Sequence, residues 1–213
     1  MPELARYFPE LDDVQRRRFE QLPALYAEWN SRINVVSRKD IDALEVHHIL
    51  HSLAIARFCR FPRGLSVMDV GTGGGFPGIP LAILFPGSRF TLVDAVAKKI
   101  KVVQAITDAL GLQNVTPLCC RVEQMSENFD VVVSRAVTNL PDFIGWVWPR
   151  LRPAPSPDKP HGIICLKGGD LDAEIAAAVE KLPDTAPPPE VVEIKQWFDN
   201  EFFETKKIVY LAR

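Results

Sequence analysis

The sequence predicts an α/β fold: a mostly parallel, doubly wound sheet with an antiparallel hairpin at its C-terminal edge and a helical extension at its N-terminus. Three observations predict it. From Leu65 onward, short apolar runs rich in β-branched residues alternate with stretches of helical period. The first run passes into a glycine-dense turn that opens a helix. The last third ends on two strand-like runs with a short stretch between them, which suits an antiparallel pair.

The elements follow in order. From Asp12 to Trp29, Val14, Phe19, Leu22, Leu25, Tyr26 and Trp29 recur at the spacing of one helix face, and Pro23 is expected to kink or split that helix. A second helix is expected over Ile41 to Phe58, carrying His47, His48 and His51. Strands are expected at LSVMDV, RFTLVDA, VTPLCC, FDVVVSRA and GIICLKG. Helices are expected over Pro77 to Leu84, Val96 to Leu110, Leu140 to Leu151 and Leu171 to Leu182. The runs VVEIKQW and KKIVYLA form the hairpin, and the proline-rich stretches Pro153 to Pro160 and Pro183 to Pro189 are expected as exposed loops, since proline supplies no ladder donor. The division is an extension over 1–63 and a catalytic domain over 64–213.

At 213 residues and 47% hydrophobic, the chain is long enough for one substantial core. No apolar run reaches the roughly 20 residues of a membrane span, and the acidic, proline-bearing start is unlike a signal peptide, so a cytoplasmic protein is expected. Cys59, Cys119, Cys120 and Cys165 lack metal-ligand spacing and are expected as buried thiols in a reducing compartment. A net charge of -2 argues against indiscriminate coating of nucleic acid but allows a local basic face.

The stretch MDVGTGGGFPGIPLAI, Met68 to Ile83, carries Gly71, Gly73, Gly75 and Gly78, which let a ligand approach the backbone. Gly73, Gly75 and Gly78 satisfy G-x-G-x-x-G, so a nicotinamide dinucleotide is one reading. Asp69, Gly71, Gly73 and Gly75 satisfy D-x-G-x-G-x-G instead, and a carboxylate before the turn repels a pyrophosphate but favours the ammonium and sulfonium of S-adenosyl-L-methionine. Asp94 ends the second strand, where it can accept from ribose hydroxyls in either reading. Glu123 and the backbone at Val122, after the third strand, are candidates for the adenine edge.

The chain resembles the ribosomal RNA small-subunit methyltransferase G family, also called glucose-inhibited division protein B. The resemblance rests on NVVS at Asn34 to Ser37, HILHSL at His48 to Leu53, DVGTGGGFPGIPL at Asp69 to Leu81 and TLVDAVAKK at Thr91 to Lys99. It continues through RVE at Arg121 to Glu123, SRA at Ser134 to Ala136 and LKG at Leu166 to Gly168. It implies a Rossmann-like class I methyltransferase fold, S-adenosyl-L-methionine as donor and N7-methylguanosine in small-subunit ribosomal RNA as product. It places the cofactor at Gly71, Phe76, Val122, Glu123 and Arg135, and RNA at Arg121, Arg135 and Lys167. The family usually has Arg at the position of His47, Asp at His51 and Thr at Val36.

Guanine N7 has a free lone pair at neutral pH and needs no general base, so no catalytic acid, base or metal is expected; alignment does the chemistry. Arg135, at a strand's C-terminal end, is expected to meet the donor's carboxylate, a phosphate or guanine O6. Arg16, Arg17, Arg18, Arg38, Lys39, Lys98, Lys99 and Lys101 are expected to converge with Arg121 and Arg135 into a nucleic-acid rim. The partner is small-subunit ribosomal RNA or a ribosomal particle, and a monomer is expected. A methyltransferase for another substrate, a nicotinamide oxidoreductase and a non-catalytic RNA-binding module stay open as alternatives.

Overall fold

The computed structural model describes residues 1–37, 40–153 and 160–213. A short helix α1, Pro2–Tyr7, precedes α2, Asp13–Asn30. Sequence reading did not anticipate α1, because six residues are too few to show a period. The Asp12 carboxylate accepts from the Gln15 N–H and the Gln15 side chain accepts from the Asp12 N–H, a reciprocal cap that starts α2. Helix α2 runs unbroken through Pro23 instead of splitting there. Pro23 lies on the exposed face, where water can satisfy the carbonyl its missing N–H leaves free.

The stretch 41–58 is not one regular helix. Glu45–Leu50 forms a π-helical turn that continues into α3, His51–Phe58. The wider turn changes the angular spacing of its side chains and aligns His47, His48 and His51 along one cavity.

The sheet has seven strands in the order β3-β2-β1-β4-β5-β7-β6. They are β1 Ser66–Val70, β2 Arg89–Asp94, β3 Val115–Cys119, β4 Val131–Arg135, β5 Gly162–Gly168, β6 Glu190–Glu193 and β7 Lys206–Ala212. The first five run parallel. Pro117 is tolerated in β3 because that strand is an edge. The C-terminal pair is antiparallel, but β7 is its inner member, hydrogen-bonded along all of β5, and β6 lies outside. Burial explains the order: β7 contributes Ile208, Val209 and Leu211 to the core, whereas β6 is mostly exposed. The expected strand VVEIKQW accordingly stops at Glu193, and Ile194–Gln196 turns inward on the buried Ile194.

Helices α4 (Gly78–Leu84), α5 (Ala97–Ala109), α6 (Leu140–Val147) and α7 (Asp172–Val179) cover the sheet. Helix α6 ends earlier than expected, at Val147, where Pro149 leaves only a tight turn over Trp148–Arg150. Strand residues alternate between two cores: Val131 and Val133 face α2 to α5, and Val132 faces α6 and α7. Phe19, Leu22 and Tyr26 of α2 belong to the first core, so the N-terminal helices pack against the sheet layer. Pro183 to Pro189 is largely exposed; of the other proline-rich stretch, residues 154–159 lie outside the described residues. Strand order reverses between β1 and β4, and the ligand crevice of such a sheet opens at the C-terminal ends of those strands.

Candidate active site

The turn after β1 is built around Asp69. Its Oδ2 accepts from Thr72 Oγ1 at 2.6 Å and from the Gly78 N–H at 2.8 Å, and the residue is fully buried. The carboxylate expected to face a cationic donor is therefore turned into the loop, because the turn and the start of α4 both aim donors at it. Burial pushes its carboxyl up to about 7, opposed by the Thr72 and Gly78 hydrogen bonds. A side chain at Gly78 would put its Cβ 2.7 Å from Asp69 Oδ2. Asp69 thus shapes the crevice from beneath.

Asp94, 8% exposed, accepts from the Gly73 N–H at 3.0 Å and the Val96 N–H at 2.9 Å, with Lys99 Nζ 3.7 Å away. A crevice of ≈ 320 Å³ opens beside it, lined by Gly71, Asp94, Lys99, Arg121, Val122 and Glu123 among others. Gly71 is constrained twice: its φ is +66°, and a Cβ there would lie 2.4 Å from Val137 Cγ2. Gly73 does not line the crevice; its N–H is held by Asp94. Nor does Phe76, which is buried and stacks on Tyr26 at 4.8 Å, while the Tyr26 hydroxyl donates to the Gly74 carbonyl at 2.6 Å. Both support the loop from behind.

A second crevice, of ≈ 420 Å³, shares Ala136 with the first. Ala136 holds φ +54°, unusual for a residue with a Cβ. Arg135 lines this second crevice, not the first. It donates to the His47 carbonyl at 3.2 Å, lies 2.9 Å from His48 Nδ1 and sits over the Phe76 ring at 5.2 Å. Because a guanidinium only donates, His48 Nδ1 must be its acceptor. Burial, then the Arg135 charge, hold the His48 imidazole down at about 3, and the same two causes hold His51 well below its usual value. His47 stacks on Phe202 at 4.1 Å and 14° and bonds through Nδ1 to Asp40 at 2.9 Å. Lys167 is tied to Glu174 and the Thr138 carbonyl, both at 2.7 Å.

The site therefore groups Gly71, Asp94, Arg121, Val122 and Glu123 around one crevice and Arg135 and Lys167 around the other. Asp69, Gly73 and Phe76 stay beneath. The expected basic convergence is partial: Lys99 joins Arg121, but Arg18 donates to the Leu110 and Gly111 carbonyls at the end of α5. Arg38 and Lys39 lie outside the described residues. Sequence reading missed Asp40, Phe202 and Lys206, because no local pattern links them to the glycine turn. Among the described residues no three His, Cys, Asp or Glu side chains are grouped to hold a metal.

The histidines give a pH prediction. Unfolded, His48 and His51 take up protons near pH 6.5; folded, they resist until far lower pH, about 3 for His48. Their contribution to stability is complete above pH 6.5 and is lost as pH falls toward 3. Asp69 acts with the opposite sign: its buried carboxylate weighs most on the fold above pH 7 and is relieved between pH 7 and 4. Urea midpoints of wild type and His48→Asn, compared from pH 8 to 4, isolate the first effect. The wild type should lose more stability over that range, and parallel curves would refute the assignment.

The family model of rRNA small subunit methyltransferase G matches residues 15–185. The chain belongs to the rRNA small subunit methyltransferase G family. A family member from Flavobacterium johnsoniae is 51% identical over 99% of this chain and 97% of its own length. One from Bacteroides fragilis is 49% identical over 98% of each. Among solved structures, a SAM dependent methyltransferase from Aquifex aeolicus superposes with TM-score 0.57 at 17% identity, covering 83% of this chain and 98% of its own. Precorrin-6y C5,15-methyltransferase from Geobacter metallireducens gives 0.54 at 16%, over 85% and 92%. These likenesses identify the Rossmann-like class I methyltransferase fold, with the two antiparallel pairings of β7 at one edge of the sheet.

Proposed function

We propose that the chain transfers the methyl group of S-adenosyl-L-methionine to N7 of a guanine in small-subunit ribosomal RNA, free or in a ribosomal particle, with the donor in the first crevice and the guanine in the second. The observation that carries this reading is the meeting of two crevices at Ala136, above the carboxyl ends of β1 and β4. A bimolecular transfer needs two such sites with one shared wall.

The residues of the first crevice fit an adenosine ligand. Gly71, bare of a Cβ, lets Val137 close against the turn to form the crevice wall, and each Asp94 oxygen keeps a lone pair for a ribose hydroxyl after accepting one N–H. Val122 and Glu123 line the same crevice and can meet the adenine edge, and Arg121 beside them suits an RNA phosphate. A dinucleotide fits less well: Asp69 already takes the Gly78 N–H at the start of α4, and Asp94 takes that of Gly73, so the donors a pyrophosphate needs are engaged.

When bound, S-adenosyl-L-methionine supplies an electrophilic methyl on a sulfonium. The protein's work is alignment, worth on the order of 7–11 kcal/mol when geometry is well held. His48 is unavailable as a base, since its Nδ1 lone pair is engaged by Arg135. Arg135 uses two of its five N–H groups on His47 and His48, leaving the others for guanine O6 or the donor's carboxylate. Lys167, held by Glu174, adds positive charge to the wall. The enzyme works as a cytoplasmic monomer in this reading. Among the described residues no helix is long and apolar enough to cross a membrane.

Two measurements test the proposal. S-adenosylhomocysteine at a hundred times its Kd should stabilise the fold by about 2.7 kcal/mol, a rise in Tm of roughly 5–11 °C for a chain of this size, and NAD should give none. Labelled methyl donor incubated with small-subunit particles should put label in N7-methylguanosine after digestion; label in adenine or protein would sink the substrate assignment.

A further inference from the structure

We infer that Asp40 reads the Watson–Crick edge of the target guanine and so sets which purine is methylated; this rests on the second crevice being the base's site. Among the described residues lining that crevice, Asp40 is the sole carboxylate, alongside the cations Arg135, Lys167 and Lys206. The crevice thus offers donors and one two-oxygen acceptor. Guanine matches that set: O6 accepts from the cationic wall, N1–H and N2–H₂ donate side by side to a carboxylate, and N7 keeps its lone pair for the methyl. Adenine does not, since its N1 is an acceptor and would face the carboxylate without a proton between them.

Asp40 is pre-set for the task. Its Oδ2 accepts from Ser37 Oγ at 2.6 Å and its Oδ1 from the His47 ring at 2.9 Å. The Ser37 and His47 hydrogen bonds, in that order, hold its carboxyl below the usual range, so it is ionised at neutral pH. Each oxygen retains a lone pair, and the side chain is 39% exposed. Beside it, His47 lies nearly parallel to Phe202, with Lys206 Nζ 4.9 Å from the same ring. A flat aromatic wall next to an acceptor pair is what an unstacked purine with a donor edge requires.

Asp40→Asn tests the inference, because the amide oxygen still accepts from His47 and the amide NH₂ can donate to Ser37 Oγ. What is lost is the acceptor pair. On unmethylated small-subunit particles, kcat/KM should fall roughly tenfold to a hundredfold, with the Tm shift given by S-adenosylhomocysteine unchanged. Particles reconstituted with inosine at the target, which lacks the N2 amino group, supply a second readout. The wild type should prefer guanine over inosine by about tenfold, and Asp40→Asn should treat them alike. Asp40→Ala is read by the same ratio, which does not depend on how much enzyme is folded. A variant that keeps the wild-type rate or ratio overturns this inference alone. Wild-type enzyme that labels a base other than guanine overturns both it and the proposed function.

Discussion

Gly71→Val should abolish stabilisation by S-adenosylhomocysteine at every accessible concentration and eliminate methyl transfer. Two effects add. A β-branched residue at φ +66° is strained, and its Cβ would lie 2.4 Å from Val137 Cγ2 in the wall of the first crevice. Together they cost about 3–5 kcal/mol, so the melting temperature should fall as well. Gly71→Ala separates the two outcomes, because it is not β-branched while its methyl still presses on Val137 in the wall of the first crevice. It should remain folded and bind S-adenosylhomocysteine at least tenfold more weakly, measured by calorimetry. Unaltered binding by Gly71→Ala would remove Gly71 from the donor site.

Arg135→Ala should reduce methyl transfer below detection and lower stability by about 3 kcal/mol, a drop in Tm of roughly 6–12 °C. The arginine is half-buried in the wall of the second crevice, and its removal strands the His47 carbonyl and His48 Nδ1. It also takes away the charge that opposes the upward push on the Asp69 carboxyl. Arg135→Lys keeps a charge but not the fork, so it should recover part of the stability and little of the activity. Melting curves and single-turnover transfer on ribosomal particles check both variants; full activity in Arg135→Lys would show that charge alone suffices.

Much of the fold was legible because its signals are local. The apolar runs at Ser66–Val70, Arg89–Asp94 and Val131–Arg135 are buried strands flanked by helices. The glycine turn follows β1, and Asp94 and Glu123 line the crevice it opens. The 41–58 stretch was less legible: apolar spacing marks a helix but not a π turn, which depends on what each side chain meets. Asp69 shows the same limit. Its place before the turn was readable, but its inward orientation follows from the Thr72 hydroxyl and the Gly78 N–H arriving from residues whose positions the turn itself sets.

By itself, the order of residues determined the alternation of strands and helices, the aspartate-led glycine turn and the family. Those depend on period, turn chemistry and motif order along one dimension. Only the tertiary structure decided that β7 lies inside β6, and that Asp40, His47 and Phe202 line one crevice with Arg135. The physical reason is that segments far apart in the chain meet only when their buried faces dock on a common sheet. The register of that docking, rather than any local preference, selects which side chains share a cavity.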